Sequence, residues 1–175
     1  MKPELQKCTR CFVRALTKLT ATDLQRLRNE SGRARGNDVA VNDLFNDIWR
    51  ALPRREPYQM RRACWLVTTL FPWNRRHLDQ AAGLPESLGE GFARLRRSAR
   101  KDEDRKRIEH RFLRLLDAHG QAFEDGLLDA VRLLERKSIP VHWENFVLDL
   151  ADWESPGQFV QQKWFRDFRG LGKGE

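Results

Sequence analysis

The chain has 175 residues, a net charge of +8 and a pI of about 9.9, which is length enough for one good core or two small ones. With 40% hydrophobic residues, six Trp and ten Phe, it is too rich in large apolar side chains for a disordered segment. No apolar run reaches the roughly 18 residues that span a bilayer, and so basic a balance favours an anionic partner. The three cysteines, Cys8, Cys11 and Cys64, form no disulfide framework and point, with no signal peptide in view, to a soluble protein of the reducing cytoplasm.

Residues 4–19 are predicted as a first helix, with Cys8, Cys11, Phe12, Ala15, Leu16 and Leu19 as its apolar stripe. The Cys8-x-x-Cys11 pair lacks a second cysteine pair or nearby histidine, so two buried cysteines are expected rather than a metal site. Thr22 or Asp23 can cap a second helix that turns Leu24 and Leu27 inward, with Arg26 and Arg28 beside them. Gly32 and Gly36 break the chain before a third helix over 38–52, stopped by Pro53. A fourth helix over 56–71 carries Met60, Cys64, Val67 and Phe71 on one side. Arg54 with Arg61, and Arg55 with Arg62, are spaced i and i+7, two turns apart on common faces.

Residues 73–84 are loop-like, and residues 85–97 open a short helix. Ten basic residues then crowd 94–116. In the helix expected over 102–119, Ile108, Phe112, Leu115 and Leu116 form a buried stripe, while Arg107, Arg111 and Arg114 at i, i+4 and i+7 share another face. Guanidinium forks on an anchored helix suit phosphates, which accept two parallel hydrogen bonds from one arginine. A solvated face balanced by Asp102, Glu103, Asp104 and Glu109 explains the same row; Glu109 in particular fits an intrahelical ion pair.

Gly120 is expected to end this helix. Residues 123–136 form the next, with Leu127, Leu128, Val131 and Leu134 inward and Arg132 and Arg136 four apart. Pro140 starts another, with Trp143, Phe146, Val147 and Leu150 inward. Ser155 or Pro156 begins the last, with Phe159, Val160, Trp164 and Phe168 at helical spacing; Trp143, Trp153 and Trp164 are expected in the core. No strand is predicted. The chain reads as all-α, two small packed helical bundles of eight to nine helices, divided at 1–83 and 84–175. Residues 1–98 hold 19 basic and 10 acidic residues, and residues 99–175 hold 14 and 15, so the positive excess lies in the first part.

Catalysis is not expected. His77, His110, His119 and His142 form no helical metal pair, and no nucleophile with an adjacent base is apparent. No cofactor and no metal are expected.

The landmarks Ser87-Leu88-Gly89, Ile108-Glu109-His110-Arg111-Phe112, Arg132-Leu133-Leu134, Pro140-Val141-x-Trp143, Asp149-Leu150-x-x-Trp153 and Trp164-x-x-Asp167-Phe168 occur in this order. Together with Asp23-Leu24-Gln25-Arg26-Leu27-Arg28, they resemble the CasB family, the small subunit of the type I-E CRISPR surveillance complex Cascade. The resemblance implies two helical bundles, no catalytic activity, and a role in holding strands of the R-loop during antiviral defence. Its implied partners are guide RNA, target DNA, other Cascade subunits and a second copy of the chain, with no membrane. The nucleic-acid-contacting positions it implies fall on Arg26 or Arg28, Arg54 or Arg55, Arg61 or Arg62, Arg111 and Arg132. His110 departs from the family's pattern, standing where a second arginine often accompanies Arg111. Two other readings are an assembly module docking protein or RNA in a ribonucleoprotein, and a helical DNA-binding regulator, which would need a base-reading helix after a tight turn.

Overall fold

Among the described residues, apolar side chains at helical spacing become helices. The structure, a computed structural model, describes residues 3–31, 38–50, 58–75 and 83–171. These form nine α-helices and no strand: α1 (Pro3–Thr17), α2 (Ala21–Glu30), α3 (Val39–Arg50), α4 (Tyr58–Leu70), α5 (Leu88–Ser98), α6 (Asp102–Leu116), α7 (Gly120–Arg136), α8 (Trp143–Ala151) and α9 (Phe159–Arg169). A 3-10 turn (Phe71–Trp73) follows α4, because Pro72 cannot continue the α-helical hydrogen-bond ladder. The all-α expectation holds. Arg54, Arg55, Pro53, Gly32, Gly36 and His77 lie outside the described residues.

Several boundaries differ from those the sequence suggests, each for a local reason. The cap of α2 is Thr20, two or three residues earlier than expected. Its Oγ accepts from the Asp23 N–H at 3.2 Å, and Asp23 accepts from the Thr20 N–H at 3.1 Å. This reciprocal box satisfies two orphan donors at once. The Thr20 hydroxyl's hydrogen bond to the Asp23 carboxylate holds Asp23 below the usual carboxylate range. Gly120 does not end α6, which stops at Leu116; it opens α7 with φ +56°. Pro140 precedes α8 rather than starting it, since His142 takes the cap and its Nδ1 accepts from Asn145 at 3.3 Å. Gln158, at φ +48°, delays α9 to Phe159.

The buried core runs without a break from Phe12 to Phe168. Helix α4 packs on α8, α5 on α9 and α6, α6 on α7, and α1 on α8. Trp143 and Trp164 are fully buried and Trp153 nearly so, as expected of core tryptophans. Two apolar expectations fail. Cys8 is buried but Cys11 is exposed, because the buried stripe of α1 is Cys8, Phe12, Val13 and Leu16 and Cys11 falls at its margin. Phe159 is 69% exposed, although Val160 beside it is buried.

The landmarks of the second half turn out to be packing joints. Ser87 caps α5 and donates its hydroxyl to Asp167 of α9. At Gly89 a Cβ would collide with the backbone of Trp164, so only glycine allows α5 and α9 to approach so closely. Asp149 accepts from the Trp164 indole at 2.7 Å and from Lys163 at 2.8 Å. Glu109 is not an intrahelical partner: it pairs with Arg96 of α5 at 3.5 Å and Arg169 of α9 at 3.2 Å, tying three helices together.

Candidate nucleic-acid interface

Helices α6 and α7 enclose a groove of about 630 Å³. The apolar stripe of α6, with Phe112 and Leu115 buried, leaves Arg111 and Arg114 at its margin, where both are exposed and line the groove. From α7, Arg132 and Arg136 line it one turn apart. Asp125 and Asp129 share the groove, over a floor that includes Leu115, Ala130 and Leu133. Four guanidinium groups therefore face two carboxylates, and among the described residues none of the four arginines makes an ion pair. Unpaired guanidiniums beside low-dielectric walls concentrate positive potential and present forks suited to phosphate.

The structure thus brings together three of the arginines singled out from sequence, Arg111, Arg114 and Arg132. It adds Arg136, which lies four residues from Arg132 on the same helix. Its i, i+4 spacing from Arg132 was the available signal; what was missing was that this face of α7 looks toward α6.

The remaining candidates stand elsewhere. Arg107 is exposed on α6, outside the groove, with Asp104 3.9 Å away. Arg26 is exposed on α2. Arg61 is exposed, donates to Asn46 Oδ1 at 2.8 Å and lies over the Phe45 ring. Arg62 is half-buried and tied to Glu154 at 2.5 Å and Glu124 at 3.4 Å. Burial opposes its charge, but the two carboxylates outweigh that and hold its pKa above the ordinary arginine value. Arg28 donates twice to the Pro72 carbonyl, at 3.2 and 2.9 Å, and lies over the Trp73 ring. Among the described residues, no group of three His, Cys, Asp or Glu side chains could hold a metal ion, and no helix is long and apolar enough to cross a membrane.

Comparison with known proteins finds that residues 23–168 match the family model described as CRISPR-associated protein Cse2. A CRISPR-associated protein Cse2 from Thermus thermophilus is 28% identical over 134 residues, covering 72% of each chain. The crystal structure of M. ruber CasB is 31% identical, with a TM-score of 0.76 and 94% of each chain covered. A chain in a structure of a CRISPR RNA-guided surveillance complex shares the fold, with a TM-score of 0.70 at 18% identity, covering 97% of this chain and 95% of its own.

Proposed function

The chain belongs to the CRISPR-associated protein Cse2 family, and from that premise we propose that it is a non-catalytic, nucleic-acid-binding small subunit of a type I-E CRISPR effector complex. Its partners in this reading are guide RNA, target DNA, other Cascade subunits and a second copy of itself, in the cytoplasm. The observation that carries the reading is the α6–α7 groove, with four arginines and no ion pair among the described residues to neutralise them.

The mechanism is contact with backbone phosphates, independent of base sequence. Opening a duplex against a guide is a nearly balanced exchange, so modest protein contacts to the strands tip it. Arg111, Arg114 and Arg132, with Arg136, form the centre of the proposed contact. Arg107 and Arg26, exposed outside the groove, extend it along α6 and α2. Arg28, Arg61 and Arg62, which already hold protein groups, and Arg54 and Arg55 complete the candidate set.

The test is the combined variant Arg107→Ala, Arg111→Ala and Arg114→Ala, titrated with a single-stranded oligonucleotide at several salt concentrations. Each lost phosphate contact should flatten the salt slope of log affinity by roughly 0.7, so the triple variant should lose about 2. Circular dichroism should show the helices intact, because the substitutions are on exposed positions. Unchanged affinity at low salt would retire the groove as the contact site.

A further inference from the structure

Arg132 is the groove arginine whose position is built in. Its guanidinium carbon lies 3.8 Å from the centroid of the Trp73 ring, direct cation–π stacking distance. Its Nε is buried without a hydrogen-bond partner. Stacking uses the flat face of the guanidinium, and burial removes the Nε edge. The terminal amino groups are what Arg132 has left to offer in the groove it lines.

Trp73 is itself fixed. Its indole N–H donates to Ser31 Oγ at 2.9 Å, and that hydroxyl sits 2.5 Å from the Thr69 carbonyl, to which it donates. Arg28 also lies over the ring, 5.6 Å from its centroid, and is pinned by its two hydrogen bonds to the Pro72 carbonyl. The ring cannot turn without disturbing α2, the end of α4 and the 3-10 turn together. A long arginine side chain on a helix surface normally loses rotamer freedom when it binds, and prior ordering reduces that loss.

Resting on the phosphate-binding reading above, we propose that Trp73 is a positioning residue for the groove. Its indole holds the Arg132 guanidinium in place before a strand arrives, and Trp73 itself does not touch the nucleic acid.

The experiment measures anisotropy of a labelled single-stranded oligonucleotide with the full chain, for Arg132→Ala, Trp73→Leu, Trp73→Phe and the double variant Trp73→Leu with Arg132→Ala, beside thermal unfolding of each. Arg132→Ala should weaken binding about five-fold and flatten the salt slope by about 0.7. Trp73→Leu should lose a similar factor, the double variant should be no worse than either single one, and Trp73→Phe, which keeps a ring, should bind within about two-fold of the unsubstituted chain. Wild-type affinity in a Trp73→Leu protein that merely unfolds at lower temperature would overturn the proposal, as would losses that add in the double variant. Wild-type affinity in Arg132→Ala would instead remove the groove reading itself, and this proposal with it. The unsubstituted protein provides an independent readout that does not depend on any variant folding. The Arg132 Nε–H resonance should be displaced upfield by the Trp73 ring current and stay displaced when the oligonucleotide saturates. Its return to an ordinary position on binding would show that the indole does not hold the bound arginine.

Discussion

At Asp149 two opposing influences meet on one carboxylate. Burial pushes its pKa up, while Lys163 and the Trp164 indole pull it down, and burial wins. A carboxylate whose folded pKa is raised contributes stability that is present below the unfolded value of about 3.9 and lost as pH rises through the folded value. Asp149→Asn keeps an acceptor for the indole and removes the titration. Its stability relative to the unsubstituted chain should therefore climb as pH rises from about 3 toward neutrality, measured by urea unfolding at each pH. A difference that falls over that window would mean that Lys163 outweighs burial. Asp23 has the opposite sign: its lowered pKa belongs to a cap that is present at neutral pH and weakens on acidification. Thr20→Ala should cost about 1 kcal/mol at pH 7 and less at pH 3, by the same measurement.

Among the helices, the tightest joint is between α5 and α9. Gly89 sits where any Cβ would meet the Trp164 backbone, and a backbone cannot move aside as a flexible side chain would. Alanine favours a helix over glycine by about 1 kcal/mol, so propensity and packing pull in opposite directions here. Overpacking of this kind costs roughly 1–3 kcal/mol or more, and the collision should win. Gly89→Ala is expected to lower Tm by at least about 3 °C in a thermal melt; a rise in Tm would mean that the helices separate without loss. Beside this joint, Phe112 of α6 stacks on Phe168 of α9 at 4.5 Å and meets Phe92 of α5 at 5.1 Å. Arg96 lies 4.9 Å over Phe168 while pairing with Glu109. The back of α6 is held by aromatic packing, which leaves its arginine face free for the groove.

For the molecule as a whole, the division proposed at 1–83 and 84–175 is crossed by extensive packing. Helix α8 lies against both α1 and α4, and Asn74 bridges the halves by donating to the Ile139 carbonyl at 2.8 Å and accepting from the Trp143 indole at 2.9 Å. With one continuous core, the two halves should unfold together. Helical and tryptophan signals are expected to report the same midpoint in denaturant; separated midpoints would show that the two bundles are independent in stability. Arg28, in the basic first part, is docked at the 3-10 turn, whereas the groove is built from the nearly neutral second part.

The residues alone determined that this chain is all-α, that Trp143, Trp153 and Trp164 belong to its core, and which ordered landmarks place it near the Cse2 proteins. Those features rest on helical periodicity and on short motifs, which are local in the chain. The reading of Arg107, Arg111 and Arg114 as a face of one helix was local too, and Arg111 and Arg114 do line one wall of the groove. Only the tertiary structure decided which arginines keep a free charge. Glu124 and Glu154 reach Arg62 from 62 and 92 residues away, Pro72 reaches Arg28 from 44, and Arg132 and Arg136 meet Arg111 and Arg114 through the packing of α7 on α6. Whether a guanidinium is paired depends on what packing brings within a few ångströms of it, and spacing along a helix carries no record of that.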